Sequence, residues 1–474
     1  MSNQKLPDIK NNFSEWYNEI VYRSELADHA PVRGCIVIRP YGWQLWENIK
    51  IILDRRIRET GHQNCSFPLL IPESFINREA KHVAGFSPEL AVVTHAGGKE
   101  LEEPLVVRPT SETIIHYMFA QWIRSWRDLP IKVNQWCSVV RWEMRARPFL
   151  RTSEFNWQEG HTAHATYAEA EQEAKMMMDE YVKLAQNYLA IPVIVGRKSE
   201  SEKFAGADLT YTYESFMQDG KALQMGTSHL LSQNFAVSFN MTFQNQAGEV
   251  SYPHLTSWCG ATTRLIGAII AVHGDQKGLV MPPKIAPIQV VIIPIAAVNG
   301  DEVWQMALKI KQMLQEKQVA THFDDRDYLR PGAKFYEWEL KGVPLRIEIG
   351  PKDLVANQVV VVERLNGTKE SILLSNLPQA IGSKLELMHD QMFLRAQKQM
   401  QTMWHKIEKI EDFGSKLEKE AGIYQTGWCL APECEAVLKE YKATVRCLLE
   451  SNDFKNCFKC GSPSKNDMIV GKAY

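Results

Sequence analysis

The spacing of apolar residues changes along the chain, and three kinds of stretch follow from it. From Tyr41, Leu45, Ile49, Ile52 and Leu53 recur at helical spacing, which predicts an amphipathic helix to about Glu59, stopped by Gly61. An apolar strand is predicted at residues 67–71, closed by Pro72. Up to about residue 285 the chain is rich in tryptophan and in short strands carrying polar residues, as a large antiparallel sheet lining a site requires. From about Ile288 the order becomes strand, helix, strand. Residues 290–293 form a continuous apolar run, 303–315 read as helix and 319–323 as the next strand. Residues 335–341 predict a short helix stopped by Gly342, Leu345, Ile347 and Ile349 alternate as a half-buried strand, and 359–362 form another. Such alternation predicts a compact α/β domain of roughly 100 residues, entered through a linker at residues 280–284 that contains Pro282 and Pro283. Residues 384–420 are polar and helix-prone, with Met400, Met403, Trp404 and Ile407 on one expected face. A small cysteine-bearing tail closes the chain.

Composition narrows the class. The chain has 474 residues, enough for two or three cores, and is 45% hydrophobic and 23% charged, as in ordinary globular proteins. Its net charge of −2 places any RNA contact on local basic patches and not on a global field. No apolar run approaches the ~20 residues that span a bilayer, and the amino-terminal residues lack the apolar core of a signal peptide. Nine cysteines, mostly isolated, argue against a disulfide framework and for a reducing, cytoplasmic compartment.

The candidate chemistry begins at Arg141-Trp142-Glu143, with Arg151 and Phe155 beyond it. Two antiparallel strands joined by a tight loop would let Arg141 present its planar fork of donors to an α-phosphate and a carboxylate. Glu143 would accept from an adenine amino group, and Arg151 would reach phosphates from the returning strand. On that strand Phe155, Trp157, Glu159 and His161 share a face, giving an aromatic wall with a carboxylate and an imidazole, suited to a small pocket with apolar sides. Asn156 points the other way. Upstream, Arg108-Pro109-Thr110-Ser111-Glu112-Thr113 opens a helix, with Thr110 the expected N-cap. Glu112 and Thr110 can face an ammonium or imino group. Downstream come Gln224-Met225-Gly226-Thr227-Ser228-His229, then Gly260-Ala261-Thr262-Thr263-Arg264, where Arg264 begins a helix and can stack on adenine while reaching a γ-phosphate. In the tail, Cys429 and Cys434, then Cys457 and Cys460, are two pairs able to converge on one tetrahedral Zn²⁺. Cys447, between them, is expected in the core.

These segments resemble, in order, motifs 1, 2 and 3 of the class II aminoacyl-tRNA synthetases. Thr110-Ser111-Glu112 and Trp157-Gln158-Glu159-Gly160-His161 are similar to the prolyl-tRNA synthetases in particular. The resemblance implies an α+β catalytic domain at residues 1–285, built on the class II antiparallel sheet with helices. An α/β anticodon-binding domain at 286–390 and a small α+β zinc-binding domain at 391–474 would follow. It further implies Mg²⁺ with ATP, a structural Zn²⁺, and L-proline and proline tRNA as partners. Arg141, Arg151 and Arg264 would be catalytic. ATP would be held by these three with Glu143, Thr152, Gln224, Thr227 and Thr262, and proline by Thr110, Glu112, Arg141, Trp157, Glu159, His161 and His229. Arg346, Lys352 and Asp353 would face the anticodon. The helix and strand of motif 1 imply a homodimer. The short interval from Arg151 to Gly260 leaves no room for the large editing insertion of the usual bacterial enzyme. With the terminal Gly471-Lys472-Ala473-Tyr474 it resembles the archaeal and eukaryotic form, whose last tyrosine approaches the active site. The sequence departs from the family's Ser-Trp-Gly at Ser257-Trp258-Cys259-Gly260, one residue longer; either a bulge absorbs the extra residue or Cys259 takes the tryptophan position. A synthetase for threonine should differ at residues 157–161, and an inactive RNA-binding relative should lack one of the three arginines.

Overall fold

The computed structural model describes residues 5–80, 90–143 and 145–474. Its centre is an eleven-stranded sheet. In spatial order the strands are Trp404–Lys406, Ile423–Trp428, Asn466–Gly471, Thr444–Leu448, Ile194–Arg197, Leu209–Phe216, Ala222–Ser232, His254–Thr262, Glu154–His164, Ile131–Val140 and Gln63–Asn64. Pairing is antiparallel except at the two outermost ladders. The tail strands therefore extend the same sheet that carries the motif residues, joined where Leu448 pairs with Arg197.

One face of this sheet is covered by the helices Pro40–Glu59, Tyr167–Asn187 and Arg264–His273, which share an apolar core with Trp258 and Ala261. The second helix starts in a capping box: Thr166 Oγ1 accepts from the Glu169 amide (3.3 Å) and Glu169 Oε2 from the Thr166 amide (3.1 Å). Strand alternation then sends the 158, 160 and 162 side of Glu154–His164 toward the helices. Gln158 meets Tyr181 Oη at 2.8 Å there. Its partner face, with residues 155, 157, 159 and 161, stays open to the cavity described below.

The bulge reading is the one realised. Trp258 pairs with Gly160 and Ala261 with Gln158, so Cys259 and Gly260 together oppose Glu159. Trp258 keeps the tryptophan position, buried in the core. Gly160 is required beside it, because a Cβ there would lie 1.9 Å from the Trp258 ring.

Elsewhere the elements follow the predicted pattern with local corrections. The motif 1 helix spans Pro40–Glu59, but the strand after it is only Leu70–Pro72. The Phe67 backbone is taken instead by side chains: its carbonyl accepts from Arg108 (2.9 Å) and its amide donates to Gln135 (3.1 Å). The Glu112–Trp122 helix is preceded by Ser111, not Thr110, as N-cap. Residues 280–284 are no loose linker, since Val280, Met281 and Pro283 are buried and Leu279 bonds Leu340 (2.9 Å). The long polar helix is Leu377–Thr402, and Trp404 begins a strand pairing with Ile423. Met400, Met403 and Trp404 pack on one apolar cluster and Ile407 on another, so the expected single helical face does not exist.

A five-stranded sheet, Thr321–Phe323, Val290–Pro294, Leu345–Ile349, Gln358–Glu363 and Lys369–Leu373, carries the α/β region, its first three strands parallel. It is held to the core by Arg364, whose two guanidinium nitrogens donate to Asp275 (2.8 and 2.7 Å), and by Lys341 on Glu25 (2.6 Å). No helix among the described residues is long and apolar enough to cross a membrane.

Replacing Gly160 by alanine should force Trp258 from its seat and cost about 1–3 kcal/mol of stability, as for other overpacked cores, read as a lower urea unfolding midpoint. An unchanged midpoint would contradict this packing.

Candidate active site

The open face of the sheet forms the wall of a cavity of about 710 Å³, within the range of small-molecule sites. Every catalytic, ATP-binding and proline-binding residue expected from the sequence lines it: Thr110, Glu112, Arg141, Glu143, Arg151, Thr152, Trp157, Glu159, His161, Gln224, Thr227, His229, Thr262 and Arg264. Ser257 and Cys259 line it too, and Asn156 does not.

At one end, three guanidiniums converge. Arg141 donates through Nε to the Pro109 carbonyl (2.9 Å) and lies over the rings of Phe155 (5.5 Å) and Trp157 (5.3 Å). Arg264 is held by the carbonyls of Leu150 and Gln224, both at 3.1 Å, so its position is set by backbone. Arg151 pairs with Glu143 at 3.5 Å. Between Arg151 and Arg264 sits the ring of Tyr474, 5.8 and 5.6 Å from their guanidinium carbons, its hydroxyl donating to the Leu150 carbonyl (2.8 Å). The chain's last side chain is thus part of the arginine end of the cavity. A cluster of three fixed cations with aromatic faces is suited to a polyphosphate and a purine.

In the same wall, Glu159 is almost fully buried. It accepts from Ser111 Oγ, from Gln135 Nε2 (2.5 Å) and from His161 Nε2 (3.2 Å). Burial alone pushes its carboxyl up, but the His161, Ser111 and Gln135 contacts and the imidazole field outweigh it and hold the group below the usual range. Trp157 is fixed by its indole N–H on Cys137 Sγ (3.2 Å), and Thr110 Oγ1 donates to Glu112. Ser111, Gln135 and Cys137 escaped the sequence reading. Ser111 lay inside a recognised motif, whereas Gln135 and Cys137 reach Glu159 across a ladder that only the fold supplies.

His229 has both ring nitrogens engaged within the protein. Thr210 Oγ1, which accepts from the Phe204 amide (3.0 Å), shares a hydrogen bond with His229 Nδ1 (3.0 Å), and Thr227 Oγ1 shares one with Nε2 (3.0 Å). With both nitrogens taken, His229 offers its ring. Burial, with a lesser push from His161, lowers it to about 3. Buried polar atoms with no partner in the lining residues include His161 Nδ1 and Ser257 Oγ, which a polar ligand would satisfy.

Away from the cavity, the four tail thiols converge as the spacing implied. Their sulfur atoms all lie within 4.8 Å of one another, with Cys429 to Cys434 at 3.8 Å and Cys429 to Cys460 at 3.7 Å. A tetrahedron with metal–sulfur bonds of about 2.3 Å has edges of about 3.8 Å, so the donors fit one soft divalent ion with no open position. Cys447 is buried in the core. In the α/β region, Arg346 lies over Phe335 (4.2 Å) and donates twice to Glu348 (2.9 and 2.8 Å). Asp353 accepts from the Gly350 amide (2.9 Å), and Lys352 is exposed.

Comparison with known proteins agrees with this geometry. Residues 93–273 match the class II tRNA synthetase core domain of the glycine, histidine, proline, serine and threonine group, 289–384 an anticodon-binding domain, and 410–474 the prolyl-tRNA synthetase C-terminal domain. The chain is 49% identical to proline–tRNA ligase 2 of Clostridioides difficile, over 99% of this chain and 98% of that protein. Two crystal structures of Cryptosporidium parvum prolyl-tRNA synthetase superpose over 99% of each chain. The one with halofuginone and AMPPNP does so with a TM-score of 0.95 at 38% identity. The one with L-proline and AMP gives 0.93 at 37%. The antiparallel core with its arginine-lined cavity is that of a class II aminoacyl-tRNA synthetase. Within this class, the chain belongs to the prolyl-tRNA synthetase family.

The buried histidines set a pH dependence. Burial, with a smaller contribution from His161, holds His116 well below its ordinary value, and burial lowers His273 to about 4 and His229 to about 3. Folded, they stay neutral; unfolded, they take up protons near pH ~6.5. Stability is therefore full above that value and is lost as pH falls toward the folded values. Going from about pH 7.5 to about pH 5.5 should cost about 1.3 kcal/mol per such histidine, read as a lower denaturation midpoint. A midpoint that does not move over this interval would contradict it.

Proposed function

We propose that this chain joins L-proline to proline tRNA at the expense of ATP, through a prolyl-adenylate, releasing AMP and pyrophosphate. The observation that carries the reading is one cavity lined both by three converging arginines and by Trp157 and the buried Glu159–His161 pair. In the first step an oxygen of the proline carboxylate bonds to the α-phosphorus and the bond to pyrophosphate breaks. In the second, a terminal ribose hydroxyl of the tRNA attacks the prolyl carbonyl and AMP leaves.

Neither step needs a covalent protein nucleophile. Arg141, Arg151 and Arg264 position the triphosphate and offset charge that builds in the transition state. Glu143, Thr152, Gln224, Thr227 and Thr262 complete the ATP end. Thr110, Glu112, Glu159 and His161 orient the imino group and carboxylate, with Trp157 and the His229 ring as apolar walls. Mg²⁺ arrives with the triphosphate, on which a hard cation finds most of its oxygen ligands, and supplies further charge neutralisation when bound.

The remaining assignments belong to the same reading. The α/β region holds the anticodon, with Arg346, Lys352 and Asp353 as contacts. The Cys429, Cys434, Cys457 and Cys460 cluster holds structural Zn²⁺, which its sulfur spacing supports. The protein is a cytoplasmic homodimer. The apolar side chains of Ile51 on the motif 1 helix, Leu69 just before its strand and Leu70 on it, 66%, 46% and 38% exposed, support an isologous interface there. Metal analysis at one zinc per chain and sedimentation as a dimer check these two points; a metal-free or monomeric protein would remove them.

Proline alone among the standard amino acids should drive ATP–pyrophosphate exchange efficiently, and Arg141→Ala should slow it by at least ~100-fold, as loss of a transition-state donor does. Wild-type exchange in that variant, or exchange with threonine alone, would sink the assignment.

A further inference from the structure

We infer that Glu435, in the tail beside Cys434 of the thiol cluster, is a positioning residue of the proline pocket, acting through the turn at residues 199–204. This inference rests on the assignment of that pocket to proline.

The turn lies between two strands of the central sheet, Ile194–Arg197 and Leu209–Phe216. It closes on itself where the amides of Glu202 and Lys203 donate to the Ser199 carbonyl (3.1 and 2.9 Å). Its far end is the cavity wall: Glu202 and Phe204 line it, and the Phe204 ring stands 4.6 Å from that of His229. The Phe204 amide donates to the Thr210 hydroxyl, which orients His229. The placement of Phe204 therefore decides both the shape of the apolar wall and the hydrogen-bond partner of its imidazole.

The near end is held by the tail as well as by the catalytic core. Glu435 Oε1 accepts from Ser199 Oγ (2.6 Å) and from Ser201 Oγ (2.7 Å). Ser199 is buried, so its hydroxyl has no water to turn to. One residue before the turn, Lys198 Nζ donates to the Arg446 carbonyl of the tail (2.8 Å) and to Glu214 (2.7 Å), which Arg446 also grips (2.8 Å). All three side chains of that group are buried. Glu435 in turn sits on the short helix Pro432–Ala436 that carries Cys434, so the thiol cluster anchors the carboxylate that anchors the turn. A chain of direct contacts runs from cluster to pocket, without a substrate atom touching Glu435.

The test is steady-state ATP–pyrophosphate exchange on the full-length protein, with proline and ATP varied separately. Calorimetric proline binding and zinc content are measured on the same preparations. Glu435→Ala removes two charge-assisted hydrogen bonds and should raise the proline KM by about 10-fold, leaving the ATP KM within about twofold and the zinc content at the wild-type level. Glu435→Gln keeps an acceptor oxygen and should recover most of the loss. Ser199→Ala with Ser201→Ala breaks the contact from the side remote from the cluster and should reproduce the effect. Combining it with Glu435→Ala should add little, as for residues in one interaction.

Wild-type proline affinity in both Glu435→Ala and the double serine variant overturns the inference. So does a parallel loss of proline and ATP affinity, which marks general damage. If Glu435→Ala loses zinc, the double serine variant decides alone. Absence of proline-dependent exchange in the wild type removes the proposed function first, and this inference with it.

Discussion

The cavity depends on keeping one carboxylate charged where there is almost no water. Glu159 is 2% exposed, and an uncompensated ion at such a depth costs several kcal/mol or is neutralised. Its compensation comes from three places: Ser111 ahead of the Glu112–Trp122 helix, Gln135 on the neighbouring strand and His161 two residues along its own. Register between the strands, the entry of the helix and the orientation of the imidazole are thus tied to a single group. The same arrangement leaves a buried charge and a partnerless histidine nitrogen in a wall that also carries the rings of Phe155, Trp157 and Phe204. That is the chemistry needed to grip a small zwitterion by its polar atoms while its apolar part packs.

How far this was legible in the sequence varied with the range of the interaction. Strand alternation placed Trp157, Glu159 and His161 on one face, because a period of two needs no knowledge of partners. The order of motifs brought Arg141, Arg151 and Arg264 to one cavity through family resemblance, and cysteine spacing brought the four thiols together. Thr110 was misread as the N-cap because Ser111 is equally suited to capping and only the backbone decides between them. Trp404 and Ile407 were placed on a helical face that ends at Thr402, since a period-3.6 pattern of a few residues also fits a helix end followed by a strand. The bulge at Cys259 could be posed as an alternative but not decided, as it depends on pairing with residues about a hundred positions away.

The tail, expected as a separate small zinc-binding domain, adds its strands to the catalytic sheet. Nothing local announces that Thr444–Leu448 will pair beside Ile194–Arg197, whereas Tyr474, expected near the active site by resemblance, ends between two arginines of the cavity. Gly196 marks the join: a Cβ there would lie 2.3 Å from the Leu448 carbonyl, so glycine permits the close approach. Backbone pairing, the buried Lys198–Glu214–Arg446 group and the Glu435 contact all act at this seam. The thiol cluster, remote from the cavity in sequence, therefore belongs to the structure that shapes it.

Calorimetric titration of proline into the wild type and the Glu159→Gln variant bears most directly on this account. Glutamine keeps the volume and an acceptor for Ser111 and Gln135 but removes the charge. The account predicts a folded variant that binds ATP as the wild type does and binds proline at least ~100-fold more weakly, as expected when a buried charged contact is lost. Equal proline affinity in the two proteins would contradict it.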